Sequence, residues 1–392
     1  MLKFLVKTSK RNPLENSIGN GCRVSFSTER FSFTSGKKES RRVTSTAVRT
    51  TSLIVFPLIA VAVGLAFPPF AHSQAKLAQT GFEFLDVGTS ARATGMGEAF
   101  ATIDGSSESM FYNPAGIATI PSLVDVAVNQ MNWIADIKYF SGVAAFAPLA
   151  GKYGVVGVSF TRVDYGQFNF TQIANNEQGY VDLPGYPAPY ASAIGLAYAK
   201  QLSEQFSVGA QVKFAYQNLG NSEVPQYNQV LVDSVLTTDT TYAVKNYNLS
   251  VPAFDFGTIY RTGLKSLSFG MYISNFSREL TYERESFQLP LTFRFGVSMN
   301  LMDLMPGMQD FSSFVVSVDA VHPRSYPEYL NIGGEYTFMK TIVLRAGYVT
   351  HQDDYGLTLG VGVHKFGFAF DYSYTPHTVW NSIHRLSLRF AI

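Results

Sequence analysis

Cysteine is nearly absent. The 392-residue chain has one, Cys22, and none after it. Disulfide bridging and thiol chemistry are therefore excluded from residue 23 onward, even in an oxidising compartment. Charge is scarce too, at 15% of residues, and it is unevenly placed. Residues 1–51 hold 11 Lys and Arg against 3 Asp and Glu, and residues 52–73 hold neither, which leaves 19 basic and 26 acidic side chains in 74–392, a formal −7. The near-neutral total is a product of the leader, and nucleic acid is not indicated as a partner. Catalytic signatures are lacking as well. No GxSxG occurs. Gly95-Met96-Gly97 opens like a dinucleotide loop, but Phe100 stands where the third glycine belongs and no βαβ pattern surrounds it. His322, His351, His364, His377 and His384 show no paired ligand spacing. No enzyme, cofactor or metal site is expected.

What the sequence has in quantity is Gly (32), Phe (32) and Tyr (22), a profile that suits an outer-membrane barrel or a large β-sandwich. Residues 52–67, SLIVFPLIAVAVGLAF, form an apolar run of signal-peptide length, shorter than the ~20 residues that span a bilayer comfortably. Ala71 and Ser73 supply the small residues that a signal peptidase needs, so cleavage is expected after Ser73. Residues 1–48 are too long and hydrophilic for a normal n-region, which suggests a start codon assigned too early, with Val43 or Val48 as the true start.

From residue 123 the chain divides into about fourteen segments of roughly ten residues, the length a tilted transmembrane strand requires. They lie near 123–134, 137–148, 153–164, 192–202, 206–218, 249–261, 266–276, 289–301, 312–322, 328–338, 341–350, 355–364, 366–375 and 383–392. Within them the pattern has period two. In 206–218, Val208, Ala210, Val212, Phe214 and Tyr216 alternate with Gly209, Gln211, Lys213, Ala215 and Gln217. In 366–375, Phe368, Phe370, Tyr372 and Tyr374 alternate with Gly367, Ala369, Asp371 and Ser373. One face is large and apolar, the other small or polar. A soluble sandwich would carry more charge on its outward face.

Connection lengths are an independent test. Alternate connections are short, as in KQLSEQF, RTGLKS, FMK and HKFG, whereas those between them include the long 165–191 and 219–248. Short turns on one side and long loops on the other are the outer-membrane pattern, with the short side periplasmic. The sequence therefore predicts an all-β fold: a transmembrane antiparallel β-barrel of about 14 strands over 121–392. Spaced at ~4.8 Å and tilted at ~40°, so many strands enclose a barrel roughly 28 Å across, too wide for wall side chains alone to fill. The Gly- and Ala-rich residues 74–120, which have neither helical nor strand periodicity, are expected to plug it, entering from the periplasmic side on which the first strand starts.

Two motifs lie in that segment. Ala91, Arg92, Gly95, Met96, Gly97, Ala99 and Phe100, in ARATGMGEAF, and Asn113, Pro114, Ala115 and Gly116, in YNPAGIA, resemble the opening of the PorV/PorQ family. Through YNPAGIA the likeness extends to the wider superfamily of FadL-type channels. The resemblance implies a fourteen-stranded barrel with an N-terminal plug, lodged in outer-membrane lipid. It also implies a role in type IX secretion, where such proteins receive the C-terminal domains of cargo and pass them to a surface-attachment complex, with the secretion-system barrel as a further partner. The FadL-type alternative implies transport of a hydrophobic small molecule such as a long-chain fatty acid.

Arg92, Gly95, Met96, Gly97, Asn113, Pro114, Ala115 and Gly116 are the candidate plug and wall anchors. Pro114 fixes its own φ and biases Asn113 to an extended conformation, and the Asn side chain can bond nearby backbone, which makes a rigid turn. Arg162, Lys213, Asp255, Arg294, Asp319, Glu335, Arg345, Asp371, Arg385 and Arg389 are expected to face the lumen, since lipid penalises charge. Arg92 is expected to pair with a wall carboxylate such as Asp319 or Asp371. The long loops, rich in Tyr, Asn, Pro and Gln, suit protein contact.

Overall fold

The computed structural model describes residues 80–392 apart from 175, 183–187, 233–234, 283, 306–310 and 353–355. The expected leader and cleavage site lie outside the described residues. Within them, fourteen strands form a closed antiparallel barrel. In chain order they are β1 (Val124–Asn132), β2 (Lys138–Phe146), β3 (Val155–Asp164), β4 (Tyr190–Gln201), β5 (Phe206–Val232), β6 (Val235–Arg261) and β7 (Ser268–Phe276), followed by β8 (Thr292–Asn300), β9 (Ser312–Pro323), β10 (Tyr329–Phe338), β11 (Ile342–Val349), β12 (Leu357–Lys365), β13 (Phe368–Thr375) and β14 (Ile383–Ala391). Each strand pairs with its sequence neighbours, and β14 closes on β1 with Phe390 opposite Val126 and Arg385 opposite Met131. All fourteen segments marked by the period-two pattern are strands of this wall.

The alternation works as the chemistry requires. On β5, Val212 and Phe214 are exposed to the outside while Gln211 and Ala215 are buried within. On β13 and β14, Phe368, Phe370, Leu386 and Leu388 point outward, and Ala369, Asp371, Arg385 and Ser387 inward. Water is absent from the lipid side, so a closed sheet that satisfies every ladder hydrogen bond is the stable way to span it with strands.

Arg162 departs from the expectation. The inward positions of β3 are Val155, Gly157, Ser159 and Val163, so residue 162 has the wrong parity for the lumen. It is exposed near the long-loop end, its guanidinium 4.3 Å from the centre of the Tyr190 ring. At that height a charged head reaches the polar interface.

A second difference concerns 219–248, read from the sequence as a loop. It is a two-stranded continuation of β5 and β6, with Asn221 opposite Asn246 and Val232 opposite Val235. A register shift between Asn218 and Asn221 separates ribbon from wall, at Gly220 with φ 95°. At ~3.4 Å per residue, the ribbon rises about 40 Å beyond the rim. A hairpin of two three-residue strands, Thr171–Ile173 with Tyr180–Asp182, stands in the neighbouring long connection between β3 and β4.

Candidate functional site

Residues 80–122 run through the lumen, and the wall is shaped to receive them. They do not start at the periplasmic end, as chain order alone suggested. Gly81 N–H donates to the carbonyl of Gln288 at 3.0 Å, and Ser325 Oγ donates to Thr80 Oγ1 at 2.7 Å. Gln288 and Ser325 lie in long connections, at the outer mouth. Phe82 and Phe84 are 1% and 3% exposed and pack with Met131, Tyr139, Val163, Val251, Leu280, Leu289 and Ile383, all at that end of the wall. The chain then descends. A short helix, Ala91–Gly95, is capped by Ser90, whose side chain accepts from the Ala93 N–H. Lower still, Met110, Ile117 and Ile120 pack against Ala127, Val143, Ala145, Val155 and Ala199 at the periplasmic end.

The first motif meets β10 to β12. Arg92 makes two hydrogen bonds to Glu335 of β10, Nη2 to Oε1 at 2.8 Å and Nε to Oε2 at 2.9 Å. Its partner is thus Glu335, not Asp319 or Asp371. Inward parity places all three carboxylates in the lumen, and their height along the wall decides which one Arg92 meets. Glu335 also accepts from Arg345 Nε at 2.7 Å, Arg345 Nη1 donates to Asp371 at 2.7 Å, and the His364 ring nitrogen is 3.0 Å from Asp371. This chain of alternating charge neutralises groups that could not be left single in so buried a place. Asp319 instead accepts two plug backbone N–H groups, from Phe100 and Ala101, each at 2.8 Å. Gly97 has φ +61°, and a Cβ there would sit 2.9 Å from the Tyr348 backbone nitrogen. Opposite it, side chains at Gly333 or Gly347 would collide with the backbone of Met96 and Gly97.

The second motif meets β5 to β7. Asn113 is extended and caps the 3-10 turn Pro114–Thr119: its Oδ1 accepts from Ala115 N–H at 3.0 Å. Its Nδ2 donates to the Ala101 carbonyl at 2.7 Å and to the Thr258 carbonyl of β6 at 3.2 Å. Pro114 and Ala115 lie on Gly209 of β5, and Asn113 lies on Gly257 of β6, where a Cβ would overlap them. Gly116 is buried, with Ser109 and the Ile103 carbonyl filling the space where a side chain would stand. Two further ties hold the lower end. Arg261 of β6 is paired with Asp104, and Arg389 of β14 with Asp125, whose carboxylate also accepts from Ser107 Oγ at 2.6 Å. The plug motifs are legible in the sequence; the inward glycines that receive them show there only as small residues recurring at lumen-facing positions.

The outer half of the lumen is roomier. A cavity of ≈480 Å³ lies beside residues 83–98, bounded by Trp133, Tyr326, Tyr329, Asn331, Gln352 and Arg385. Its lining is mixed: Glu83, Asp86, Glu98 and Arg385 stand among Val87, Trp133, Ile134, Pro323 and Val349. At the mouth, burial raises the Tyr326 phenol above its ordinary range, and Glu83 and Asp86 add to the rise. Among the described residues no group of three or more His, Cys, Asp and Glu is placed to hold a metal. His377 instead accepts from the Val379 and Trp380 N–H groups, and His384 shares a 2.8 Å hydrogen bond with the Tyr372 hydroxyl.

Solved structures share this architecture. A monoaromatic hydrocarbon channel, CymD, aligns over 78% of this chain and 98% of its own, at 13% identity and a TM-score of 0.50. A Pseudomonas aeruginosa FadL homologue aligns over 77% and 98%, at 12% identity and a TM-score of 0.48. At such identities the likeness is one of fold. No curated protein sequence matches the chain. Barrel, amphipathic strands and loop asymmetry together make this a bacterial outer-membrane protein. The family model described as type IX secretion system membrane protein PorP/SprF matches residues 171–390, beyond the 91–118 run and over more than half of the sequence, and the chain belongs to that family.

Proposed function

We propose that the protein is a docking component of type IX secretion, resembling PorV/PorQ proteins in role: it receives cargo C-terminal domains, or the secretion barrel that exports them, on its outer face and hands them on to surface attachment. The observation that carries this reading is the contrast between the two surfaces open to a ligand. Above the rim, the ribbon exposes Val224, Tyr227, Tyr242 and Val244, and the adjacent β3–β4 connection exposes Phe168, Ile173, Tyr180 and Val181, with Ile173 87% exposed. Exposed aromatic and apolar groups of this density fit a protein partner. Inside, residues 80–122 run through the lumen, and the cavity beside them sets Glu83, Asp86, Glu98 and Arg385 among apolar residues. A hydrophobic molecule there would strip water from four charged groups, so FadL-type transport is the weaker reading. Arg92, Gly95 to Gly97 and Asn113 to Gly116 then serve as anchors that keep the plug seated, not as ligand contacts.

Affinity purification of the tagged protein from its native outer membrane, followed by mass spectrometry of proteins and lipids, tests this. A secretion-system barrel or a cargo C-terminal domain in stoichiometric amount is expected. A protein-free sample carrying fatty acid or another apolar molecule would transfer the case to transport.

A further inference from the structure

We infer that the outer half of the lumen holds a binding site for a saccharide, reached from the outer mouth and separate from any protein docked above the rim. The cavity beside residues 83–98 has a volume of ≈480 Å³, within the ~300–1,000 Å³ of small-molecule sites. Tyr326 and Gln352, in the outer connections after β9 and β11, bound it, and Tyr326 is half exposed. Hydrophilic solutes thus have an entrance from outside.

Charge around the cavity is already matched. Arg294 Nη2 lies 3.9 Å from Asp86 and 3.5 Å from Glu98. Arg385 Nε and Nη1 donate to the Gly88 carbonyl and to Thr375 Oγ1, each at 3.1 Å, and its guanidinium is 5.4 Å from the Trp133 ring centre. Glu83 is exposed to water at the mouth. Two inner carboxylates therefore face two guanidinium groups, and a charged ligand would enter without a counter-ion of its own. A hydrocarbon would strip water from the same groups. The ligand that fits is neutral and polar.

The open hydrogen-bond valences are of both kinds. Asn331 lines the cavity and is 1% exposed, and its Oδ1 has no hydrogen-bond partner among the described residues. Asp86, Val87, Gly88 and Glu98 also border a second cavity of ≈60 Å³. Its buried Arg294 Nε and Nη1, Gln211 Oε1 and Tyr112 hydroxyl likewise have no partner among the described residues. Asp86 and Glu98, common to both cavities, link the ligand's hydrogen bonds to that set. Buried donors and acceptors left single cost free energy, and a hydroxyl group satisfies either kind. Trp133, Tyr326 and Tyr329 supply aromatic rings beside these groups. A sugar ring has the matching form: hydroxyls around its edge, and a C–H face that lies on the negative face of an aromatic ring.

The chain has two tryptophans, Trp133 and Trp380, so Trp380→Phe leaves Trp133 as the reporter inside the cavity. The full chain with that substitution, purified in an amine-oxide detergent that has no sugar head group, would be titrated with glucose, galactose, mannose, N-acetylglucosamine, maltose and lactose while Trp133 emission is read. The expected result is a saturable change with at least one of them, its midpoint raised about tenfold by Asn331→Leu or by Tyr326→Ala. Heat-dependent gel mobility checks that each variant is a folded barrel. Tyr326 stands in an exposed connection, so Tyr326→Ala keeps the test decisive if Asn331→Leu does not assemble. The absence of a saturable change with all of these saccharides would overturn the inference, as would a midpoint that the folded variants leave unmoved. A stronger response to decanoate or to spermidine than to any saccharide would also overturn it, in favour of an apolar ligand or a cation. None of these readings depends on a secretion partner.

Discussion

Two buried wall carboxylates, Asp319 and Glu335, hold the plug in different ways, and substitution should separate them. Asp319 carries two backbone N–H groups on one oxygen. Asp319→Ala leaves both without a partner and should cost about 3 kcal/mol, whereas Asp319→Asn keeps an accepting oxygen and should retain most of the stability. Heat-dependent gel mobility of the folded barrel would compare the two. Glu335 keeps Arg345 when Arg92 is lost, so Arg92→Ala should cost only about 2 kcal/mol of stability. Its larger effect should be on seating: planar-bilayer recordings should find higher or noisier conductance than in the unsubstituted protein, and unchanged conductance would remove Arg92 from the anchors. Asn113→Ala removes a cap and the bonds to Ala101 and Thr258, a loss of about 1–2 kcal/mol. That Arg92 would need a carboxylate was legible in the sequence. Which one it meets depends on height along the wall and on strand register, and neither is written in local sequence.

The strands were the most legible elements, because a wall between lipid and lumen imposes two environments on alternate residues. Where both faces meet water the pattern disappears, and this is why 219–248 reads as a loop. Its β-branched and aromatic content, in Thr237 to Tyr242 and Val244, was the remaining signal of a strand pair. Side chains 224–229 of the ribbon are exposed, so replacing Asn221–Asn246 with a tight turn should leave the unfolding temperature of the barrel nearly unchanged. The plug and wall fit is the opposite case. Gly347→Val would drive a side chain into Met96 and Gly97, a cost of about 1–3 kcal/mol or failed assembly. Ala210→Leu, on the lipid face of β5, should be tolerated. A fall in folded yield for both substitutions alike would deny the wall glycines their special place.

As a whole the molecule is a barrel threaded from mouth to base by residues 80–122, with exposed apolar and aromatic groups of the β5–β6 ribbon standing above the membrane. Length, loop asymmetry and the need to fill a barrel roughly 28 Å across point to a plug from the sequence alone. The direction in which the plug runs was not legible, because covalent order says where β1 starts but not from which mouth the preceding residues come. The central claim is that the outer surface, with the ribbon at its centre, receives a secretion partner. The most direct measurement is a quantitative comparison, from native membranes, of the secretion-system barrel or cargo C-terminal domain retained by the full chain and by the chain lacking Asn221–Asn246. The account predicts a partner that the full chain holds and the shortened but correctly folded barrel loses. Equal retention by both, or a full chain that holds no protein and carries an apolar molecule in its lumen, would contradict it.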